Sequence, residues 1–125
     1  MTEPILDEDN LNLSSLVLRL EFGNNRFLFM GDAEKENEEA ISWSQIDVLK
    51  VGHHGSNTSS TERFLEQIQP KYAVIMVGKD NSYKLPKQET IDKLNHIGTM
   101  VYRTDENGTV QMKSDGNTIE IKTSK

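Results

Sequence analysis

There is no cysteine in this chain of 125 residues, which excludes disulfides, thiol catalysis and zinc–thiolate sites while saying little about compartment. No apolar run approaches the ~20 residues that a membrane-crossing helix needs. The start, Met1-Thr2-Glu3-Pro4-Ile5-Leu6-Asp7-Glu8-Asp9, is acidic and lacks the basic and apolar stretches of a signal peptide. An excess of positive charge is missing too. The formal net charge is −6, so broad electrostatic attraction to nucleic acid is not expected, although a bound cation would make a site locally positive whatever that total. Histidine is scarce, with three residues. Any metal must be held by those, by Asp or Glu, or by backbone oxygen, a ligand set suited to zinc, manganese or iron. Repeats, linkers and low-complexity tracts are absent, and the length suits one domain with a sizeable core.

Against that background two stretches stand out, Phe27-Leu28-Phe29-Met30-Gly31-Asp32-Ala33 and Val48-Leu49-Lys50-Val51-Gly52-His53-His54-Gly55-Ser56. Each is a short apolar run that ends in Gly and a side chain able to bind metal. Such a run reads as a buried strand, with the polar group where the strand leaves the sheet. If the two strands are parallel neighbours, Asp32 and the His53/His54 pair emerge along one carboxyl edge, where open α/β sheets place their ligands.

The rest of the chain reads as scaffold. Residues 1–12 form a flexible lead-in, and 13–124 a single α/β domain. From Ser14 to Phe22 the pattern alternates, with Leu16, Leu18, Leu20 and Phe22 on one side and Val17, Arg19 and Glu21 on the other, as in a half-buried strand. Gly23-Asn24-Asn25 turns it into an antiparallel partner, Arg26 to Met30. A helix is expected over Ala33 to Trp43, with Ala40, Ile41 and Trp43 at its buried end and Asp32 as a possible N-cap. Ile46 to Val51 is a strand, and Ser59 with Glu62 has capping-box spacing for a helix through Phe64, Leu65 and Ile68. Tyr72 to Val77 is the most buried strand. A polar loop from Gly78 to Lys84 leads to a helix opened by Pro86, carried by Ile91, Leu94 and Ile97 and closed at Gly98. Three strands follow: Met100 to Arg103, Thr109 to Lys113 and Thr118 to Lys122. This β-β-α-β-α-β-α-β-β-β order is that of an α/β layer architecture.

The chemistry these residues suit is hydrolytic. A metal ion lowers the pKa of bound water and polarises the scissile bond, and Asp32 with one of His53 or His54 supplies suitable donors. Adjacent histidines do not easily both reach one ion, so one binds metal while its neighbour supports it or donates a proton. Gly52 and Gly55 let backbone approach a substrate closely. Ser56, Thr58, Ser59 and Ser60 offer hydroxyls and a helix start, a phosphate-binding surface. Plainer roles stand beside these: Asp32 as a helix cap, the His pair as ordinary loop residues, Ser59 and Glu62 as a cap. His96 reads as a surface residue facing a helix C-terminus, and Lys50, Lys71, Lys79, Lys84 and Lys87 as solvated charge.

Taken together, the runs Asn12 to Leu20, Phe27 to Glu34 and Asp47 to Ser56, continued through Ser59-Ser60, Pro70, Tyr72 to Val77, Asn81 to Pro86 and Tyr102 to Asp105, resemble a known family. It is the metallo-β-lactamase superfamily, in the branch formed by the domain of ComEC-type DNA-uptake competence proteins, and the match covers residues 10 to 122. The resemblance implies the C-terminal half of an αββα sandwich, a mixed sheet with flanking helices. It also implies metal-dependent hydrolysis of a DNA phosphodiester or a related one. Asp32, His53 and His54 are the implied metal residues, Asp32 and His54 the catalytic ones, and Ser56, Ser59 and Asn81 the substrate contacts. The cofactor is a divalent metal, zinc or manganese. Two departures bear on activity. The superfamily's His-x-His-x-Asp-His motif is absent, so the chain reads as a fragment whose hydrolysis needs the missing half. Where the family usually has Tyr-Gly-His-Pro, this chain has Tyr83-Lys84-Leu85-Pro86, and Leu85 binds no metal. The other class of reading is a non-catalytic remnant or partner-binding module. A half-fold would expose a sheet face or edge, which invites the missing half or self-association.

Overall fold

The computed structural model describes residues 15–125. The expected lead-in of residues 1–12, the start of the domain at 13 and Ser14 lie outside the described residues. The elements run β1 (Leu18–Phe22), β2 (Asn25–Phe29), α1 (Lys35–Glu39), β3 (Val48–Lys50), α2 (Glu62–Ile68), β4 (Tyr72–Ile75), α3 (Gln88–His96), β5 (Met100–Arg103), α4 (Thr104–Asn107), β6 (Val110–Ser114) and β7 (Ile119–Thr123). The main sheet has five strands in the order β1-β2-β3-β4-β5, and β6-β7 form a separate hairpin. β1 runs antiparallel to β2, whereas β2, β3, β4 and β5 are parallel neighbours. It is a mixed sheet with flanking helices.

This order explains which face is buried. Three successive crossovers step in the same direction, and right-handed crossovers stepping one way put their helices on one face. Accordingly Leu28, Leu49 and Ala73, aligned across the strands, pack with Phe64, Leu65 and Ile68 of α2 and Leu94 of α3. The opposite face carries the rows Leu18–Phe29–Lys50–Val74 and Leu20–Phe27–Val48–Tyr72. Among the described residues, the β6-β7 hairpin lies against it. Val110 and Met112 close one wall of an open cleft of about 420 Å³ whose other wall includes Phe29, Lys50 and Met76.

β1 departs from the expected half-buried strand, since all five of its residues are exposed and the buried residue lies just before it. Val17 is buried, while Leu16, Leu18, Leu20 and Phe22 are 41–56% exposed. The period-2 pattern is right, but the apolar side faces the thinly covered layer.

Lys50 stands in that layer between Phe29 and Val74. Burial pushes its ammonium below the usual lysine range, and the nearby Asp32 charge partly opposes this. A lysine depressed in the folded state weakens the fold at neutral pH, and the penalty lifts as pH rises towards the ordinary value of 10.5. Lys50→Met keeps the apolar stem and removes the charge. It is expected to raise Tm at pH 7 and to flatten the rise in stability between pH 8 and 11, read by thermal melts across that range.

Local departures have local causes. α1 is five residues long, not eleven, and its buried residues are Asn37 and Glu38, while Ala40 is exposed. The chain leaves the helix at Ala40, where Trp43 Nε1 donates to the Glu38 carbonyl at 2.7 Å and its ring meets Phe64 edge-on at 4.9 Å. Glu34, not Asp32, takes the N-cap position, and its N–H donates to Asn37 Oδ1 at 3.0 Å. At α2 the cap is Thr61, whose Oγ1 accepts from Phe64 N, and not Ser59. The segment 104–107, between the expected strands Met100 to Arg103 and Thr109 to Lys113, closes into the short helix α4.

Candidate metal centre

The two Gly-bounded stretches do emerge side by side. β2 and β3 are parallel with Phe29 opposite Lys50, and the segments beyond them touch through backbone. His53 N donates to Gly31 O at 2.9 Å, and a Cβ on Gly52 would sit 2.9 Å from the Ala33 carbonyl. Only a residue without a side chain fits there.

Beyond Gly52 the chain makes a single tight turn, residues 52–55, in which both histidines have left-handed backbone, φ 49° and 54°. Two consecutive non-glycine residues in that region are uncommon and cost of order 1 kcal/mol or more each. The surroundings hold them there. Ser59 Oγ donates to Gly52 O at 2.9 Å and Ser56 N to His53 O at 2.9 Å. On the far side Lys87 N donates to Gly55 O at 3.0 Å.

This backbone splays the two rings, whose centroids are 6.5 Å apart, and each meets its own carboxylate. His54 Nε2 lies 3.3 Å from Asp32 Oδ1, with both side chains about half exposed. His53 Nδ1 lies 3.6 Å from Glu34 Oε1 in a more buried setting, and 3.1 Å from Thr58 Oγ1. Asp32, His53 and His54 therefore do not converge on one point. Among the described residues no cluster of three or more His, Cys, Asp or Glu could hold a metal ion.

The Asp32–His54 pair has a chemical peculiarity. His54 Nδ1 faces the Met76 carbonyl at 2.7 Å. A carbonyl only accepts, so Nδ1 carries the hydrogen, and in neutral imidazole the lone pair is then on Nε2. That nitrogen lies 3.3 Å from a carboxylate oxygen. Two acceptors at 3.3 Å are complementary to something positive between them, a proton or a metal ion. A ligating histidine whose other nitrogen donates to a backbone carbonyl is the usual arrangement at metal sites. Asp32 and His54 thus fit a divalent cation as two of its ligands.

The residues expected to contact substrate are placed differently. Ser56 and Ser59 are buried. Ser56 Oγ bonds Thr58 Oγ1 and N, and Ser59 Oγ bonds the carbonyls of Gly52 and Ser56. Both hold the histidine turn in shape. Asn81 is likewise engaged within its own loop, donating to Gly78 O and Leu85 O and accepting from Leu85 N. His96 is exposed in the last turn of α3, away from these residues in sequence and element. Glu34 is the site residue that sequence reasoning passed over. Its only signal is a second carboxylate two positions after Asp32.

Comparison with known proteins places this geometry in context. The sequence profile described as "Metallo-beta-lactamase superfamily" matches residues 5–79. ComE operon protein 3 of Bacillus subtilis is 44% identical over 111 residues, covering 86% of this chain and 14% of that protein. Recombination protein 2 of Haemophilus influenzae is 38% identical over 112 residues, covering 88% and 14%. Competence protein ComA of Neisseria gonorrhoeae is 38% identical over 107 residues, covering 80% and 15%. The chain spans about a seventh of the length of these relatives.

Proposed function

This chain belongs to the metallo-beta-lactamase superfamily, and we propose that its Asp32–His54 pair is part of a divalent-metal site serving phosphodiester hydrolysis in a DNA-uptake protein of the competence type. The observation that carries the reading is the pair of facing acceptors: His54 Nε2 and Asp32 Oδ1 at 3.3 Å, with Nδ1 committed to the Met76 carbonyl. When bound, a zinc or manganese ion supplies the positive charge that polarises a scissile phosphodiester and makes water more acidic. The chain's own residues do the rest. Met76 O fixes the tautomer and direction of His54. Glu34 and Thr58 hold His53 beside the pair. A catalytic zinc takes three protein ligands, so in the purified chain a second copy would complete the set. The exposed apolar face of Leu18, Leu20 and Phe22 is where the rest of such a domain, or a second copy, would lie.

The test is elemental analysis of the purified chain beside Asp32→Ala and His54→Ala. Near-stoichiometric metal that falls to background in both variants is expected. Metal absent from the parent, or retained in both variants, overturns the reading.

A second reading, a non-catalytic scaffold, is favoured by one observation: two donors converge where hydrolytic sites need more. Metal binding together with phosphodiesterase activity that Asp32→Ala abolishes would dispose of it.

A further inference from the structure

The loop of residues 78–87 follows the Met76 carbonyl that holds His54, and its far end is tied to the same turn by Lys87 N to Gly55 O at 3.0 Å. Both ends are therefore pinned to the histidine turn. Its charge is unlike the rest of the chain. Gly78 to Lys87 contains three lysines and one aspartate in a protein of net charge −6.

The loop is also built, not slack. Asn81 clamps it with three side-chain bonds, to Gly78 O at 3.0 Å, to Leu85 O at 2.7 Å and from Leu85 N at 2.9 Å, and Lys84 N donates to Asn81 O. Asp80 and Lys84 accept left-handed backbone, φ 54° and 55°. The clamp holds out Tyr83, which at 77% is the most exposed large apolar side chain among the described residues. Its ring makes no aromatic contact and its hydroxyl no hydrogen bond among the described residues, whereas Tyr72 and Tyr102 lie against each other. Lys84 adjoins it, and Lys87 Nζ reaches the Tyr83 carbonyl at 3.5 Å. Tyr83 is thus a solvent-facing aromatic flanked by cations. Its flat face and neighbouring ammonium groups match an unpaired base and its phosphates.

We propose that this loop is a single-strand nucleic-acid contact, with Tyr83 as the stacking platform and Lys84 and Lys87 as phosphate contacts. Duplex DNA hides its base faces, so the platform selects single strands. The inference rests on the phosphodiester reading of the neighbouring site and specifies its substrate, but its test does not use the metal.

Fluorescence anisotropy of a labelled 20-nucleotide oligothymidylate, and of a duplex of equal length, would be titrated with the whole chain in EDTA. Tighter binding to the single strand is expected. Tyr83→Ala is expected to weaken it about tenfold, whereas Tyr83→Phe stays within about twofold. Lys84→Gln with Lys87→Gln is expected to lower the slope of log affinity against log salt by about 1.4, for two lost phosphate contacts at ~0.7 each. Failure of the parent to bind, equal binding to duplex, or Tyr83→Ala binding unchanged would each overturn the inference. A chain that binds the oligonucleotide but holds no metal keeps it while removing the hydrolase reading, and metal without oligonucleotide binding does the reverse.

Discussion

Gly55→Ala is expected to lower stability by about 3 kcal/mol, combining a left-handed backbone penalty with an overpacked contact, and to displace the histidine turn. Gly55 has φ +83°, and a Cβ there would lie 2.5 Å from Pro86 Cβ and 3.3 Å from Ile75 Cγ2. Neither neighbour yields readily: the proline ring is rigid, and Ile75 belongs to the core. Relief requires loop 78–87 to separate from the turn, which would break the Lys87 N to Gly55 O bond. Two other glycines separate the contributions. Gly98 has φ +81° with open space around it, so Gly98→Ala carries the backbone penalty alone, about 1 kcal/mol. Gly78 has open space and no such backbone, so Gly78→Ala is expected to be nearly silent. Urea denaturation of the three variants measures the series. A Gly55→Ala midpoint equal to that of Gly98→Ala would mean that the two loops do not pack as described.

Glu38→Ala is expected to cost about 2–6 kcal/mol, because one buried and one part-buried backbone donor lose their acceptor at ~1–3 kcal/mol each. The carboxylate of Glu38, on the short helix α1, accepts from Ser60 N with one oxygen and from Thr61 N at 2.9 Å with the other. It ties α1 to the start of α2, and the chain between them carries the histidine turn. Burial raises the Glu38 carboxyl above its ordinary 4.5, and the Thr61 and Ser60 backbone bonds pull it back only in part. A raised carboxyl binds more protons folded than unfolded, so its contribution is fullest below 4.5 and is partly lost as pH rises through the raised value. The stability gap between parent and Glu38→Ala should therefore narrow from pH 4 upward, as read by denaturant midpoints at several pH values. A gap that widens with pH would reverse the sign and remove burial as the dominant effect.

Some of this was legible before any coordinates. A glycine after an apolar run announces that backbone needs room, and both Gly31-Asp32 and Gly52-His53 lie where parallel strands leave the sheet. The strands themselves were legible because period-2 runs such as Leu16 to Phe22 report a pleat whatever covers it. Which side of that pleat is buried is not in the run. It depends on what residues far along the chain lay against the strand, and here Val17, just before β1, is buried while β1 itself is exposed. Capping misled for a related reason. Ser59, Thr61 and Asp32 all have side chains that can cap, and the competition was decided by contacts from Gly52, Phe64 and His54 that spacing does not encode.

By itself the sequence determined the chemistry on offer: no thiol, few histidines, a carboxylate and an imidazole pair each at the end of a strand. It also determined the strand order from which a parallel sheet follows, since short apolar runs separated by helical segments have few other ways to bury themselves. Only the tertiary structure decided how the offered groups are paired. Left-handed backbone at His53 and His54 turns adjacent rings apart, so one meets exposed Asp32 and the other buried Glu34. That divergence is a property of two torsion angles held by the surrounding loops. No residue type or spacing records it.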